Sequence, residues 1–321
     1  MDAPLCSVIV AVYNEEKVLP VTCERLLRTM KTLGETFEIL FVDDGSRDRT
    51  LELLRGIAAK EPSVRVLALS RNFGQQIAIT AGLEHASGRT VVLIDGDLQD
   101  PPELIPDMID LWRKGWDVVY GKRRARTGEK ISKRTTSRVF YRLLRWVTEQ
   151  DIPVDTGDFR LMDRKVVDAL VSMKEQSKFY RGMVAWAGFR QTPLEFVRDA
   201  RSAGDTKFTW KKMVKLALDG IISFSIKPLH IATWLGSIVS VCSFAGLVWV
   251  VVRTLSGGET EPGWASLAVI NLFMSGVILL LIGVLGEYIG RIFEQSRARP
   301  LYFLREKLGF GPEDESIKRS E

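Results

Sequence analysis

Two aspartates one residue apart, Asp95 and Asp97, follow an apolar run ending at Ile94. Carboxylates in that spacing at a strand end can hold a hard divalent cation, Mg2+ or Mn2+, which bridges the phosphates of a substrate. Gln99 adds a neutral oxygen nearby. Further polar groups stand where other apolar runs end. Tyr13-Asn14-Glu15 follows the first, Asp43-Asp44 the second and Arg71-Asn72 the third. Tyr13 offers a stacking surface. Asp43 can accept hydrogen bonds from a nucleobase edge, and Asp43 or Asp44 can equally cap a helix. Other chemistries lack their residues. Two histidines, His85 and His230, leave no multi-histidine zinc centre and little scope for Ser-His-Asp catalysis. Three cysteines without CxxC spacing indicate a reduced compartment. The first strand is followed by VYNEE rather than G-x-G-x-x-G, and there is no P-loop string, which argues against a dinucleotide-binding domain and a P-loop NTPase.

The elements that must carry these residues read as α/β. Leu5–Val12, Phe37–Val42, Val64–Leu69 and Thr90–Ile94 are short β-branched apolar runs, and Val118–Tyr120 begins a fifth. Helical periodicity fills the intervals at 18–33, 48–60, 75–86 and 103–114. Strands alternating with helices imply a doubly wound, largely parallel sheet, whose ligands bind at the carboxyl ends of the strands.

The 321 residues are 46% hydrophobic and 26% charged, but the two classes are segregated along the chain. Residues 228–252 and 262–286 contain no Asp, Glu, Lys or Arg. Each is long enough to cross a hydrocarbon core of ~30 Å, and Trp234, Trp249 and Trp264 lie near the ends, where an aromatic belt sits. The loop between them carries Glu259 and Glu261 and no lysine or arginine, whereas Lys211, Lys212, Lys215, Lys227, Arg291, Arg297 and Arg299 flank the pair. The positive-inside rule then puts both termini and the large domain in the cytosol, anchored to the inner membrane by a multi-pass hairpin. No charged leader precedes an apolar run at the N-terminus, so no signal peptide is expected. The expected boundaries are a catalytic domain at 1–207, a juxtamembrane amphipathic helix at 208–227, two transmembrane helices with an extracytoplasmic loop at 228–290, and a cytosolic tail at 291–321.

Ten lysines or arginines lie between Lys122 and Arg145, with Glu129 the one acid. Ile131–Val147 reads as a helix with Arg134, Arg138, Arg142 and Arg145 on one face, suited to the headgroup plane of a bilayer. No nucleic-acid motif accompanies the block, and no nucleic-acid partner is expected.

Five strings occur in order: SVIVAVYNEE, VDDGSRDRT, SRNFGQ, DGDLQDPPE and DTGDFRLMDR. With DGIISFSIKPL and LLIGVLGEYIGRIFEQSRARPLY they make nearly the whole chain resemble glycosyltransferase family 2, and within it the polyprenyl-phosphate glycosyltransferases. The resemblance implies a GT-A type fold, a nucleotide-sugar donor and a polyprenyl phosphate acceptor. It implies that Tyr13, Glu15 and Asp43, with Asp44 and Arg71 at neighbouring strand ends, bind the donor nucleotide. Asp95, Asp97 and Gln99 would hold the metal and donor diphosphate, and Arg201 and Lys207 would lie on a loop that closes over it. Arg123, Lys133 and Ser137, with Arg134 beside them, match positions that grip the acceptor phosphate. Asp158 matches the catalytic aspartate, with Asp155 its rival.

Ala11 departs from the proline usual in the family, and the Q-x-x-R-W string of processive synthases is absent, which implies single-sugar transfer. UDP-glucose is the first expectation for the donor. A UDP-amino sugar, GDP-mannose, or a non-catalytic nucleotide-sugar-binding module stay open. The resemblance also allows a homo-oligomer, a tetramer among the forms.

Overall fold

Strand β1 (Cys6–Val12) is buried along almost its whole length. A strand that buries both faces must lie inside a sheet covered by helices on each side. It pairs in parallel with β2 (Phe37–Asp43) on one side and β4 (Thr90–Asp95) on the other. β2 in turn pairs in parallel with β3 (Val64–Leu69). Helices α1 (Leu19–Lys31), α2 (Thr50–Ala58) and α3 (Gln75–His85) are the crossovers. A 3-10 turn at Pro102–Leu104 opens α4 (Ile105–Arg113), and β5 (Val118–Arg123) follows.

The computed structural model describes residues 3–97, 99–123, 156–196, 227–256 and 263–310. It contains an eight-stranded sheet in the order β7-β5-β6-β4-β1-β2-β3-β8. β6 (Thr156–Asp163) enters antiparallel between β4 and β5, and β7 (Gln191–Phe196) lies parallel to β5. Helices α5 (Arg164–Ser172) and α6 (Tyr180–Trp186) separate β6 from β7. The sheet is therefore mixed, a GT-A-like α/β arrangement, where the strand–helix alternation alone predicts a doubly wound and largely parallel one.

The alternating pleat assigns the two faces. Val8, Val10, Val12, Ile39, Phe41, Val66, Phe159 and Leu161 pack on one face with Leu26, Met30 and Leu54 and with Ile105, Met108 and Ile109 of α4. Alternate residues face α3. A Cβ added to Gly82 of that helix would lie 2.4 Å from Ile9 Cγ2, so the helix backbone rests directly on the strand.

The last strand, β8 (Leu304–Leu308), lies in the stretch read as a tail; it pairs antiparallel with β3. Two anchors hold it. Arg55 of α2 donates to Glu306 through both Nε and Nη2 (3.2 and 2.7 Å), and Tyr302 Oη donates to Glu84 at 2.5 Å.

The chain divides into two compact units. The first holds β1–β8 with α1–α6. The second holds α7 (Lys227–Leu255) and α8 (Trp264–Ser296). Among the described residues, one helical stretch, Phe273–Ser296, is long and apolar enough to cross a membrane, and Gly236–Gly246 is a shorter apolar stretch. The helix ending at Ser296 runs six residues past the expected end of the second span.

Candidate active site

The parallel strands β1–β4 end on one edge of the sheet, and the loops there are laced together. Asn14 N donates to Ser46 Oγ (2.9 Å), Arg47 N to Asn14 Oδ1 (2.8 Å), and Glu15 N to Thr50 Oγ1 (2.9 Å). Asn14 takes a left-handed conformation, φ 54°, which asparagine tolerates better than most residues. These bonds fix Tyr13 and Glu15, both half-buried, beside the end of β2.

Asp43 and Asp44 occupy that end, and both are buried. Asp43 accepts from Ser46 N, and burial, partly offset by that bond, raises its pKa. Asp44 Oδ1 and Oδ2 accept from Phe73 N (2.7 Å) and Gly74 N (2.9 Å). Asp44 thus anchors the loop after β3, while exposed Arg71 of that loop stacks over Phe73 at 4.3 Å. Gly45 makes this approach possible: its φ is +67°, and a Cβ there would lie 2.4 Å from Arg71 C. Gly45→Ala should therefore cost more than the ~1–3 kcal/mol of backbone strain alone. A thermal melt should show a lowered Tm, and a melt unchanged from wild type would refute the tight approach.

The second half of the site lies at the ends of β4 and β6. β4 and β6 are antiparallel with Leu93 opposite Arg160. Beyond that last pair, Asp95 and Asp158 follow at the two strand ends, close enough for the charge of Asp158 to act on Asp95. Burial, followed by Asp158, Asp100 and Asp97, pushes the pKa of Asp95 up to about 7, with Arg181 opposing. Gln75 Nε2, at the start of α3, donates to Asp95 Oδ1 at 2.8 Å. Asp97 Oδ1 accepts from Gln99 N at 3.2 Å in a tight turn, and Gln99 and Asp100 are buried beside it.

Asp158 is buried, and its charge is matched. Burial alone would raise its pKa, but the Arg181 guanidinium (Nε–Oδ1 2.8 Å), with Arg160 and Gln76, outweighs burial and holds the carboxyl below its usual range. Gln76 is itself oriented, because Tyr180 N donates to its Oε1 at 3.1 Å. Arg160 is buried and donates to the carbonyls of Gly157 and Asp158; burial lowers its pKa to about 10.

Of the residues singled out in the sequence, Asp95, Asp97, Gln99 and Asp158 form this half, and Tyr13, Glu15, Asp43, Asp44 and Arg71 form the other. Asp155, Lys133, Arg134, Ser137, Arg201 and Lys207 lie outside the described residues, as do the side chain of Arg123 and the basic helices expected at 131–147 and 208–226. Sequence reasoning missed Arg181, Gln75, Gln76, Asp100 and Arg160. Gln75, Asp100 and Arg160 lie inside the strings SRNFGQ, DGDLQDPPE and DTGDFRLMDR. Arg181 and Gln76 carry no local signal.

Among the described residues, no group of three or more His, Cys, Asp or Glu side chains is arranged to hold a metal ion as it stands. The donor set nevertheless fits Mg2+ or Mn2+. Magnesium commonly takes one or two protein carboxylates and completes its shell with substrate phosphates and water. Burial, together with the repulsion from Asp158, Asp100 and Asp97, raises Asp95, and a cation relieves both.

A family model described as "Glycosyl transferase family 2" matches residues 7–171. The chain is 50% identical to an uncharacterized glycosyltransferase, YkcC, of Bacillus subtilis (strain 168), over 94% of each chain. It is 42% identical to the bactoprenol glucosyl transferase of Shigella phage SfV, over 93% of this chain and 97% of that one. Among solved structures, it is similar to glucosyl-3-phosphoglycerate synthase from Mycobacterium tuberculosis, with 19% identity and a TM-score of 0.46 over 68% of this chain and 78% of that one.

Proposed function

The chain belongs to glycosyl transferase family 2 and is a glycosyltransferase, and from that premise we propose that it moves a single sugar from a nucleotide sugar to polyprenyl phosphate at the cytoplasmic face of a membrane. UDP-glucose is the proposed donor and bactoprenol (undecaprenyl) phosphate the acceptor. The observation that carries the reading is the carboxylate group Asp95, Asp97, Asp100 and Asp158, on the same edge of the sheet as the strand ends that carry Tyr13 and Asp43. The acceptor rests on the full-length similarity to bactoprenol glucosyl transferases.

The sheet itself supports the topology. β8, which follows α8, pairs with β3, which precedes α7, and this is what supports placing those two strands on one side of a membrane. On that reading the segment between them crosses an even number of times. A hairpin of α7 and α8 satisfies this, with the sheet domain on the side of the nucleotide sugar.

Asp95 and Asp97 are the proposed holders of the cation, which when bound would neutralise the donor diphosphate as it leaves. Asp43 would accept from the base, and Tyr13 would pack on it. Gln75 steadies Asp95. Asp158, kept ionised by Arg181, would face positive charge developing at the anomeric carbon. A phosphate monoester has its second pKa at ~6 and is largely a dianion at cytosolic pH, so the acceptor needs little help from a base. That fits an Asp158 whose pKa is low rather than raised. Direct displacement by the lipid phosphate inverts the anomeric centre.

A donor panel tests the reading. The purified full chain would be given undecaprenyl phosphate, Mn2+ and radiolabelled UDP-glucose, UDP-N-acetylglucosamine or GDP-mannose. Label should enter the lipid phase from UDP-glucose, and EDTA should abolish it. Label from another donor alone would overturn the sugar assignment. No lipid label from any donor would overturn the acceptor.

A further inference from the structure

We propose that Arg305, carried by the strand that follows α8, binds the nucleoside diphosphate part of the donor beside Asp43. The proposal rests on the nucleotide-sugar reading above and adds a residue to it.

The register places Arg305 there. Asp43 of β2 pairs with Ala68 of β3, and Ala68 with Glu306 of β8, so the three lie in one row at the end of the sheet where the parallel strands stop. Strands are ~4.8 Å apart, which puts the β8 backbone roughly 10 Å from that of Asp43, a gap a long side chain largely closes. The register shifts between Ala68 and Leu69, with Leu304 opposite Leu69. Arg305 is the extra residue at that shift. Such bulges re-aim a side chain and recur at sheet edges beside active sites. Arg305 is exposed, and its charge acts on the Asp43 carboxylate.

Its neighbours hold the strand in place. Ser70 N donates to Phe303 O at 2.9 Å, Tyr302 binds Glu84, Glu306 binds Arg55, and Phe310 packs against His85. The backbone is therefore tied down on both sides of Arg305, at the end of the sheet where its charge is felt by Asp43. The chemistry is complementary. An ionised Asp43 only accepts hydrogen bonds and a guanidinium only donates. Together they match an edge that offers an N–H beside a carbonyl, which uracil presents. The donor pocket is then completed by a segment that arrives only after the chain has passed through α7 and α8.

Isothermal titration of UDP into the full chain in detergent micelles, with Mn2+, tests this, alongside donor and acceptor KM. Arg305→Ala should weaken UDP ~tenfold and raise donor KM to match, as loss of one charged hydrogen bond would. Turnover, acceptor KM and Tm should stay at wild-type values. Arg305→Lys should recover part of the affinity. Lys307→Ala, whose ammonium lies over the Phe310 ring at 5.8 Å, should bind UDP as wild type does. UDP affinity unchanged in Arg305→Ala, or lowered equally in Lys307→Ala, would overturn the proposal while leaving the donor reading intact. A wild-type chain that binds no UDP would overturn both.

Discussion

Asp95→Asn is expected to abolish sugar transfer, a loss of ~10³-fold or more, while leaving the chain at least as stable as wild type. The two effects have one cause. Asp95 lies within the field of Asp158, Asp100 and Asp97, and burial, followed by these charges, raises its pKa to about 7. An amide removes one of the crowded charges. It keeps an oxygen for Gln75, which now donates to Asp95 at 2.8 Å. Stability is thereby relieved of repulsion, and function would lose the proposed ligand for the cation and diphosphate. Sites that hold charge against their own repulsion commonly trade stability for activity in this way. Tm measured by circular dichroism, beside the rate of lipid labelling, checks both halves. A variant with normal turnover would remove Asp95 from the site. A variant that is strongly destabilised would mean the carboxylate serves the fold.

The second large effect is expected at Asp158 and its cation. Asp158→Asn should lower turnover by ~10²–10³-fold, with donor affinity changed much less, because the charge is used in the transition state rather than in binding. Arg181→Gln should also lower turnover, through a different signature. Arg181 lies 2.8 Å from Asp158 and, once burial is overcome, is the foremost group holding its pKa down. Without the guanidinium the Asp158 pKa rises. Turnover that needs the ionised form is then lost at a higher pH, so the acid limb of the profile moves upward. Profiles of wild type and Arg181→Gln at saturating Mn2+ would show the displacement. Coincident acid limbs would mean that Asp158 does not titrate in the rate-limiting step.

Local patterning was sufficient for the parallel half of the sheet. Val64–Leu69 coincides with the observed strand, and Leu5–Val12, Phe37–Val42 and Thr90–Ile94 differ from theirs by one residue at one end. Each is a short β-branched run closed by polar residues, so the signal lies within the segment. The remaining strands are set by distant pairing. β6 takes its place only by pairing antiparallel with β4, about seventy residues earlier. β8, with sequence LREKL, has no continuous apolar run; it is an edge strand held by β3, Arg55 and the Tyr302–Glu84 bond. The site divides in the same way. Asp95, Asp97 and Asp43 sit at ends of locally legible strands, where topology already places a crevice. Arg181 reaches Asp158 from a seven-residue helix, and Gln76 does so from the first turn of α3. Neither residue type nor spacing marks those two, because their role comes from tertiary folding that brings their side chains to Asp158.

The most direct measurement is the chemical structure of the lipid product. Wild-type protein, undecaprenyl phosphate, Mn2+ and α-linked UDP-glucose would be incubated, and the lipid extract examined by phosphorus and proton NMR. The expected product is a phosphodiester carrying one glucose per lipid, with β configuration at the anomeric carbon. Free glucose and UDP with unmodified lipid phosphate, or an α-linked product, would contradict direct displacement by the lipid phosphate.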